Sequence, residues 1–173
     1  GLNKSDVYFS DHYLSHAYAS IASAPCSQGV VLVLDAIGEQ SSGMIGIFDD
    51  NKIVDKVFFS LTKSLGLIYS CITVYCGFKV LTGEYKLMGL APYGCPIYEK
   101  HLEDIFGESW DLLSTSDIDI YGSRLYSQNL INSLPFGVRN SETQPLTQFH
   151  ADLAASMQIY LEKRVIELIQ KYT

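Results

Sequence analysis

The chain has 173 residues, 47% of them hydrophobic and 18% charged, which supports one globular domain with a buried core and excludes a composition typical of disorder. Its formal net charge of -7 argues against a binder of nucleic-acid backbones, because that affinity rests on clustered Lys and Arg displacing counterions. Small molecules are therefore the expected partners, with no nucleic acid and no membrane.

No basic region followed by an apolar core and a cleavage site stands at the N-terminus, so no secretory signal is expected. The chain opens almost directly on a short strand pattern, Val7 to Ser10, and it closes inside a helical pattern at Thr173 with no Gly or Pro stop. Both ends are those expected of a piece of a longer protein.

After the first strand, Ser10 or Asp11 can cap a helix running to about Ala24, where Pro25 ends it. Three strand-like runs follow, Val30 to Asp35, Gly43 to Phe48 and Ile53 to Phe59, joined by Ser-Ser-Gly and Asp-Asp-Asn turn signals. The simple reading is an antiparallel meander. Its first run is continuously apolar, as a central strand covered on both faces would be, and its third lies nearer an edge.

The order then changes to helices. Leu65 to Phe78 is apolar on nearly every side but is interrupted by Gly66, Ser70, Thr73 and Gly77, and it falls short of the ~20 residues a membrane span needs. It is predicted to be a buried helix, followed by another from Glu84 to about Ala91 that Pro92 ends. Residues 95–148 mix acidic, Ser and Asn positions with short apolar pieces, the pattern of a variable insertion with some helix. From Phe149 the helical period returns. Leu153, Met157, Leu161, Val165 and Leu168 share one face, and Glu162, Lys163, Glu167 and Lys171 the other. The expected fold class is an α/β layer. Cys26, Cys71, Cys76 and Cys95 form no Cys-x-x-Cys pair, which fits a reduced, cytoplasmic protein.

Two groups of residues can do chemistry. His12 and His16, four apart, stack on one face of the first helix, close enough to share a divalent metal, although such spacing also arises in ordinary core or surface histidines. Asp35 ends an apolar strand, the place where open α/β sheets put their ligands. It could add an oxygen to the two nitrogens, or simply cap the turn. Two His and one carboxylate suit iron(II) or another divalent transition metal, zinc included.

The second group runs from Thr82 to Gly94. Gly83 at a helix start permits close backbone approach, Glu84 can accept hydroxyl protons of a ribose, and Lys86 can neutralise phosphate. The alternative is a capped amphipathic helix with ordinary exposed charges.

Together these segments resemble the carbamoyltransferases of the nodulation-protein U and antibiotic O-carbamoyltransferase type. The family's His-His-Leu-Ser-His-Ala-x-Ser-Ala stretch stands here as Asp11-His12-Tyr13-Leu14-Ser15-His16-Ala17-Tyr18-Ala19. Its Asp-Gly-x-Gly-Glu turn stands as Asp35-Ala36-Ile37-Gly38-Glu39, and its Ser-Leu-Gly-x-x-Tyr-Ser stretch as Ser64 to Ser70. The Gly-Glu-Tyr-Lys-x-Met-Gly-Leu-Ala-Pro-Tyr-Gly block matches Gly83 to Gly94, and a helix matches at Asp152 to Gln158. Asp11 and Ala36 depart from a commonly seen His and Gly; neither touches the His-x-x-x-His pair.

The resemblance implies a partial actin-like (ribonuclease-H-like, ASKHA) domain with a mixed sheet and packed helices. In that picture residues 1–26 end a first subdomain, and residues 27–173 form most of a second, with residues 95–148 as its variable insertion. It implies His12, His16 and Asp35 as iron(II) ligands, and Gly38, Gly83, Glu84 and Lys86 near nucleotide or phosphate. The implied activity is ATP-dependent transfer of a carbamoyl group from carbamoyl phosphate, through carbamoyl-adenylate, to a hydroxyl of a sugar or antibiotic-like acceptor. The chain by itself is expected to be inactive, and its exposed faces could pair it with a second copy. The alternatives are a related threonylcarbamoyl or hydrogenase-maturation protein, or a non-catalytic nucleotide-binding scaffold.

Overall fold

A computed structural model describes residues 8–120 and 124–172. Of the strand expected at Val7 to Ser10, Val7 lies outside the described residues. Tyr8, Phe9 and Ser10 form no strand, and the two aromatic rings stand in solvent. The first element is helix α1, His12–Ser23, capped by Asp11, whose Oδ1 accepts the Leu14 N–H at 2.9 Å. Its buried residues are Tyr13, Ala17 and Ile21, a four-residue repeat that fixes which face meets the sheet.

Strands β1 (Gln28–Leu34), β2 (Gly43–Asp49) and β3 (Lys52–Phe59) form an antiparallel sheet in the order β1-β2-β3. The Asp-Asp-Asn signal is the β2–β3 turn: Asp50 and Asn51 both take positive φ, 47° and 60°, as a tight hairpin matched to strand twist requires. Every ladder among the described residues is antiparallel, so the mixed sheet is not present in this part of the fold. The central strand is β2 and not β1, which is an edge strand among the described residues.

The apolar run of β1 nonetheless has the cause expected of it, since both its faces are covered. Val31 and Val33 pack with Tyr13, Ala17, Ile21, Met44 and Phe48 under α1, while Val30, Leu32 and Leu34 pack against the main core on the other side. A continuous apolar run reports covered faces; it does not report whether both hydrogen-bonding edges are paired.

The main core is built by helices. Helix α2 (Leu65–Tyr75) buries nine of its eleven residues. It ends before the expected Phe78 because Gly77 turns the chain at φ 76°. Helix α3 (Glu84–Leu90) runs into a single 3-10 turn, Ala91–Tyr93. Helices α4 (Glu99–Phe106) and α5 (Gln128–Ser133) lie in the segment that looks like an insertion. That segment is part of the core all the same, contributing Leu102, Phe106, Trp110, Leu113, Leu130 and Leu134.

The last helix, α6 (Gln148–Tyr172), is buried all round from Phe149 to Met157 and becomes amphipathic only beyond that. Its expected apolar face is buried at Leu153, Met157 and Leu168. The face also includes Tyr160 and the 2% exposed Arg164, whose guanidinium bonds Glu167 at 2.9 Å and lies over the Tyr160 ring. No described helix is long and apolar enough to cross a membrane. All four cysteines are free. Burial pushes the thiols of Cys71 and Cys76 up to about 12, so both behave as small apolar side chains.

Candidate functional site

Because Tyr13, Ala17 and Ile21 face inward, His12 and His16 are held on the rim of α1, where their rings meet edge-on with centroids 4.7 Å apart. Asp35 follows β1 and reaches the same place from the sheet. His12 Nε2 and Asp35 Oδ2 are 3.0 Å apart, and Asp35 Oδ1 accepts the Ala36 N–H at 2.8 Å. The His12 and Asp35 side chains are 34% and 39% exposed, so an ion or substrate can reach both. A cleft of about 330 Å³ opens beside them, lined by Asp11, His12, Tyr13, Glu39, Ser41 and Phe58.

Tyr13 closes the floor. Its hydroxyl donates to the Ser41 carbonyl at 2.6 Å, and burial together with the nearby Asp35 carboxylate pushes its pKa up, so it stays a phenol. The same hydroxyl rests against Gly38, where an added Cβ would come within 2.2 Å of it. The structure thus gives Gly38 a packing role beneath the site, a reason independent of any phosphate.

Metal bonds of roughly 2.1 Å at right angles set two donor atoms about 3 Å apart, so the His12–Asp35 spacing is also that of neighbouring ligands on one ion. His16 stands one helical turn from His12 in direct ring contact. Among the described residues, no three His, Cys, Asp or Glu side chains already converge as a finished cage. Two imidazoles and a carboxylate, all reached by solvent and with one pair at ligand spacing, are a donor set that fits a divalent transition ion.

Two further residues of this corner lie in the Ser64 to Ser70 stretch, to which the sequence alone assigned no role at the site. The Ser64 hydroxyl, fully buried, donates to the carbonyls of Ala36 (2.6 Å) and Asp35 (3.2 Å), and its oxygen accepts the Leu67 N–H at 3.0 Å as the cap of α2. At Gly66 a Cβ would meet Ala36 N at 2.6 Å and the Asp35 carbonyl carbon at 2.7 Å. The signal available was the Ser-Leu-Gly triplet at the start of an apolar helix.

The second constellation, at the start of α3, is tied to helix α2 through Ser70. Glu84 Oε1 accepts the Ser70 hydroxyl at 2.8 Å and the Leu81 N–H at 3.0 Å, and Oε2 accepts the Gly83 N–H at 3.2 Å. Burial raises the Glu84 pKa, but the bonds from Ser70 and the backbone outweigh it and hold the carboxyl below its usual value. Glu84 is thereby committed largely to its own turn. Gly83 is needed where the Lys79 carbonyl approaches to 2.5 Å of a would-be Cβ. Lys86 is exposed, its ammonium 5.9 Å from the Tyr85 ring centroid, and is free to meet an anion. Ser64 and Ser70 lie six residues apart on α2, so the two constellations are attached to one rigid rod about 9 Å apart along its axis.

The remainder of the block, Ala91 to Gly94, docks on α6. A Cβ at Gly94 would fall 2.0 Å from the Ala151 carbonyl oxygen. Asp152 Oδ1 accepts from the Cys95 N–H (2.8 Å) and the Gln148 side chain (2.9 Å), and Ser156 Oγ accepts the Tyr98 N–H (3.0 Å). Two stretches distant in sequence are thus halves of one latch.

The class these features define is an α/β domain with a His–Asp pair displayed where a helix rim meets a strand end. The family description carbamoyltransferase N-terminus matches residues 2–172, and the chain belongs to that family. Similar proteins include an uncharacterized protein of Synechocystis sp., 36% identical over 94% of this chain and 27% of its own length. The nodulation protein NolNO of Sinorhizobium fredii is 32% identical over 99% of this chain and 24% of its own length. The nodulation protein NolO of Bradyrhizobium diazoefficiens is 31% identical, over 94% and 28% respectively. The chain therefore spans about a quarter of the length of the curated relatives it matches.

Proposed function

We propose that this chain is part of an ATP-dependent O-carbamoyltransferase that moves a carbamoyl group from carbamoyl phosphate, by way of carbamoyl-adenylate, to a hydroxyl of a sugar or antibiotic-like acceptor. Family membership over the whole chain supports the transferase. The observation that carries the metal part is the 3.0 Å His12–Asp35 pair with His16 stacked on it. In this reading His12, His16 and Asp35 hold iron(II) or a similar divalent ion, which supplies positive charge to phosphate and to developing carbamoyl oxygen charge.

The chain's own residues orient the reactants. Asp11 fixes the start of α1, Tyr13 holds the floor of the cleft, and Lys86 meets phosphate. Glu84, with Gly83, shapes the turn on which nucleotide rests. We further read the domain as actin-like, with residues 1–26 closing one subdomain and residues 27–173 supplying most of the next, acting in the cytoplasm on small molecules.

The test is an anaerobic iron(II) titration by calorimetry on the chain and on His16→Ala. One-to-one binding that the substitution abolishes supports the reading; equal heats from both proteins would sink it.

A further inference from the structure

We infer that Ser64 and Gly66, at the start of α2, are positioning residues for Asp35: they clamp the turn after β1 so that its carboxylate faces His12. The inference rests on the metal reading for its consequence but not for its geometry. Asp35 is the first residue after β1, so the direction of its side chain depends on what holds the next peptide. Three contacts hold it. The buried Ser64 hydroxyl donates to the Ala36 and Asp35 carbonyls, at 2.6 and 3.2 Å. The Ala36 N–H donates back to Asp35 Oδ1 at 2.8 Å, leaving Oδ2 for His12. Gly66 presents no side chain to the turn, and even a methyl there would press on Ala36 N at 2.6 Å.

The requirement is specific to the turn and not to the helix. Gly66 lies in the first turn of α2, where alanine would be the better helix former, so local propensity argues against the residue that is present. Ser64 caps α2 by accepting the Leu67 N–H, a task that uses its oxygen, while its proton goes entirely to the Asp35–Ala36 carbonyls. One residue thus joins the helix start to the site, and the same helix reaches Glu84 through Ser70.

The experiment compares the chain with Ser64→Ala and Gly66→Ala by three measurements: thermal unfolding, amide exchange at Ala36 and Ile37 without metal, and Co(II) affinity by visible absorption. The expected result is faster exchange at both amides in both variants and a loss of roughly tenfold to a hundredfold in Co(II) affinity, the scale typical of groups that orient metal ligands. Gly66→Ala should lose affinity even if it unfolds no earlier than the wild type. Unchanged exchange at Ala36 in both variants would overturn the clamp. If the wild type takes up no Co(II), the metal reading fails separately, and the exchange data still decide whether Ser64 and Gly66 hold the turn.

Discussion

On α6 every residue from Phe149 to Met157 is buried, whereas on α1 only Tyr13, Ala17 and Ile21 are. Both helices carry polar residues of interest, and they use them differently. Around α6 the polar groups turn inward to satisfy backbone: Asp152 accepts the Cys95 N–H, and Ser156 accepts the Tyr98 N–H. On α1 they turn outward, and His12 and Asp35 find each other at a surface that solvent still reaches. Buried polar groups must be paired because desolvation leaves them no alternative, whereas groups on a rim can exchange one partner for another. The α6 latch therefore holds shape, and the α1 rim is available for ligands.

The comparison can be tested by substitution. The largest loss of stability is expected on the buried part of α6, where Leu153→Ala should cost about 3 kcal/mol by leaving a cavity in the main core, measured by urea unfolding. Gly94→Ala should cost ~2 kcal/mol or more, because the new methyl meets the Ala151 carbonyl and backbone must move. Tyr13→Phe, which removes the hydroxyl bond to Ser41, should cost about 1 kcal/mol while leaving α1 in place. At the rim, His16→Ala should stay within about 0.5 kcal/mol of the wild type and change only metal uptake. A rim substitution as destabilising as a latch substitution would erase the distinction.

Acid titration sharpens it. His150 is held below its usual value of 6.5 by burial and by the Arg139 charge. The unfolded chain thus takes up this proton first, and stability present above pH 6.5 falls as pH drops below it. Glu84 has the same sign in a lower window: its folded value lies below 4.5, so its contribution is full above that pH and is lost as pH falls through the folded value. His150→Gln should remove the first decline and Ser70→Ala should weaken the second, both visible as unfolding midpoints across a pH series.

Much of the site was legible from spacing. A four-residue repeat of histidines on a small-residue helix is a local signal, as is an aspartate closing an apolar strand, and the structure puts His12 3.0 Å from Asp35 and in ring contact with His16. The roles of Ser64 and Gly66 were not legible, although their stretch was, because the contact of each is with a turn some thirty residues earlier. The resemblance implies Gly38 near nucleotide or phosphate, and its neighbour in the fold is the Tyr13 hydroxyl. Glu84 is an expected acceptor for ribose hydroxyls, and in the fold it accepts from Ser70 and from the Leu81 and Gly83 amides. In each case the local residue type was informative and the partner was not.

What the sequence determined by itself is the order of α1, the three strands, α2, α3 and the last helix and most of the faces they bury, because apolar periodicity, caps and turn residues act within a few residues of where they stand. Asp11 starting α1, the positive-φ Asp50-Asn51 turn and the buried α2 all follow from such short-range rules. Only the tertiary structure decided that β2 and not β1 is central, that residues 95–148 belong to the core, and that Arg164 is buried beside Glu167. Those outcomes depend on which surfaces meet across the fold, and the pairing of a distant hydroxyl, carbonyl or ring leaves no mark on the periodicity of either segment.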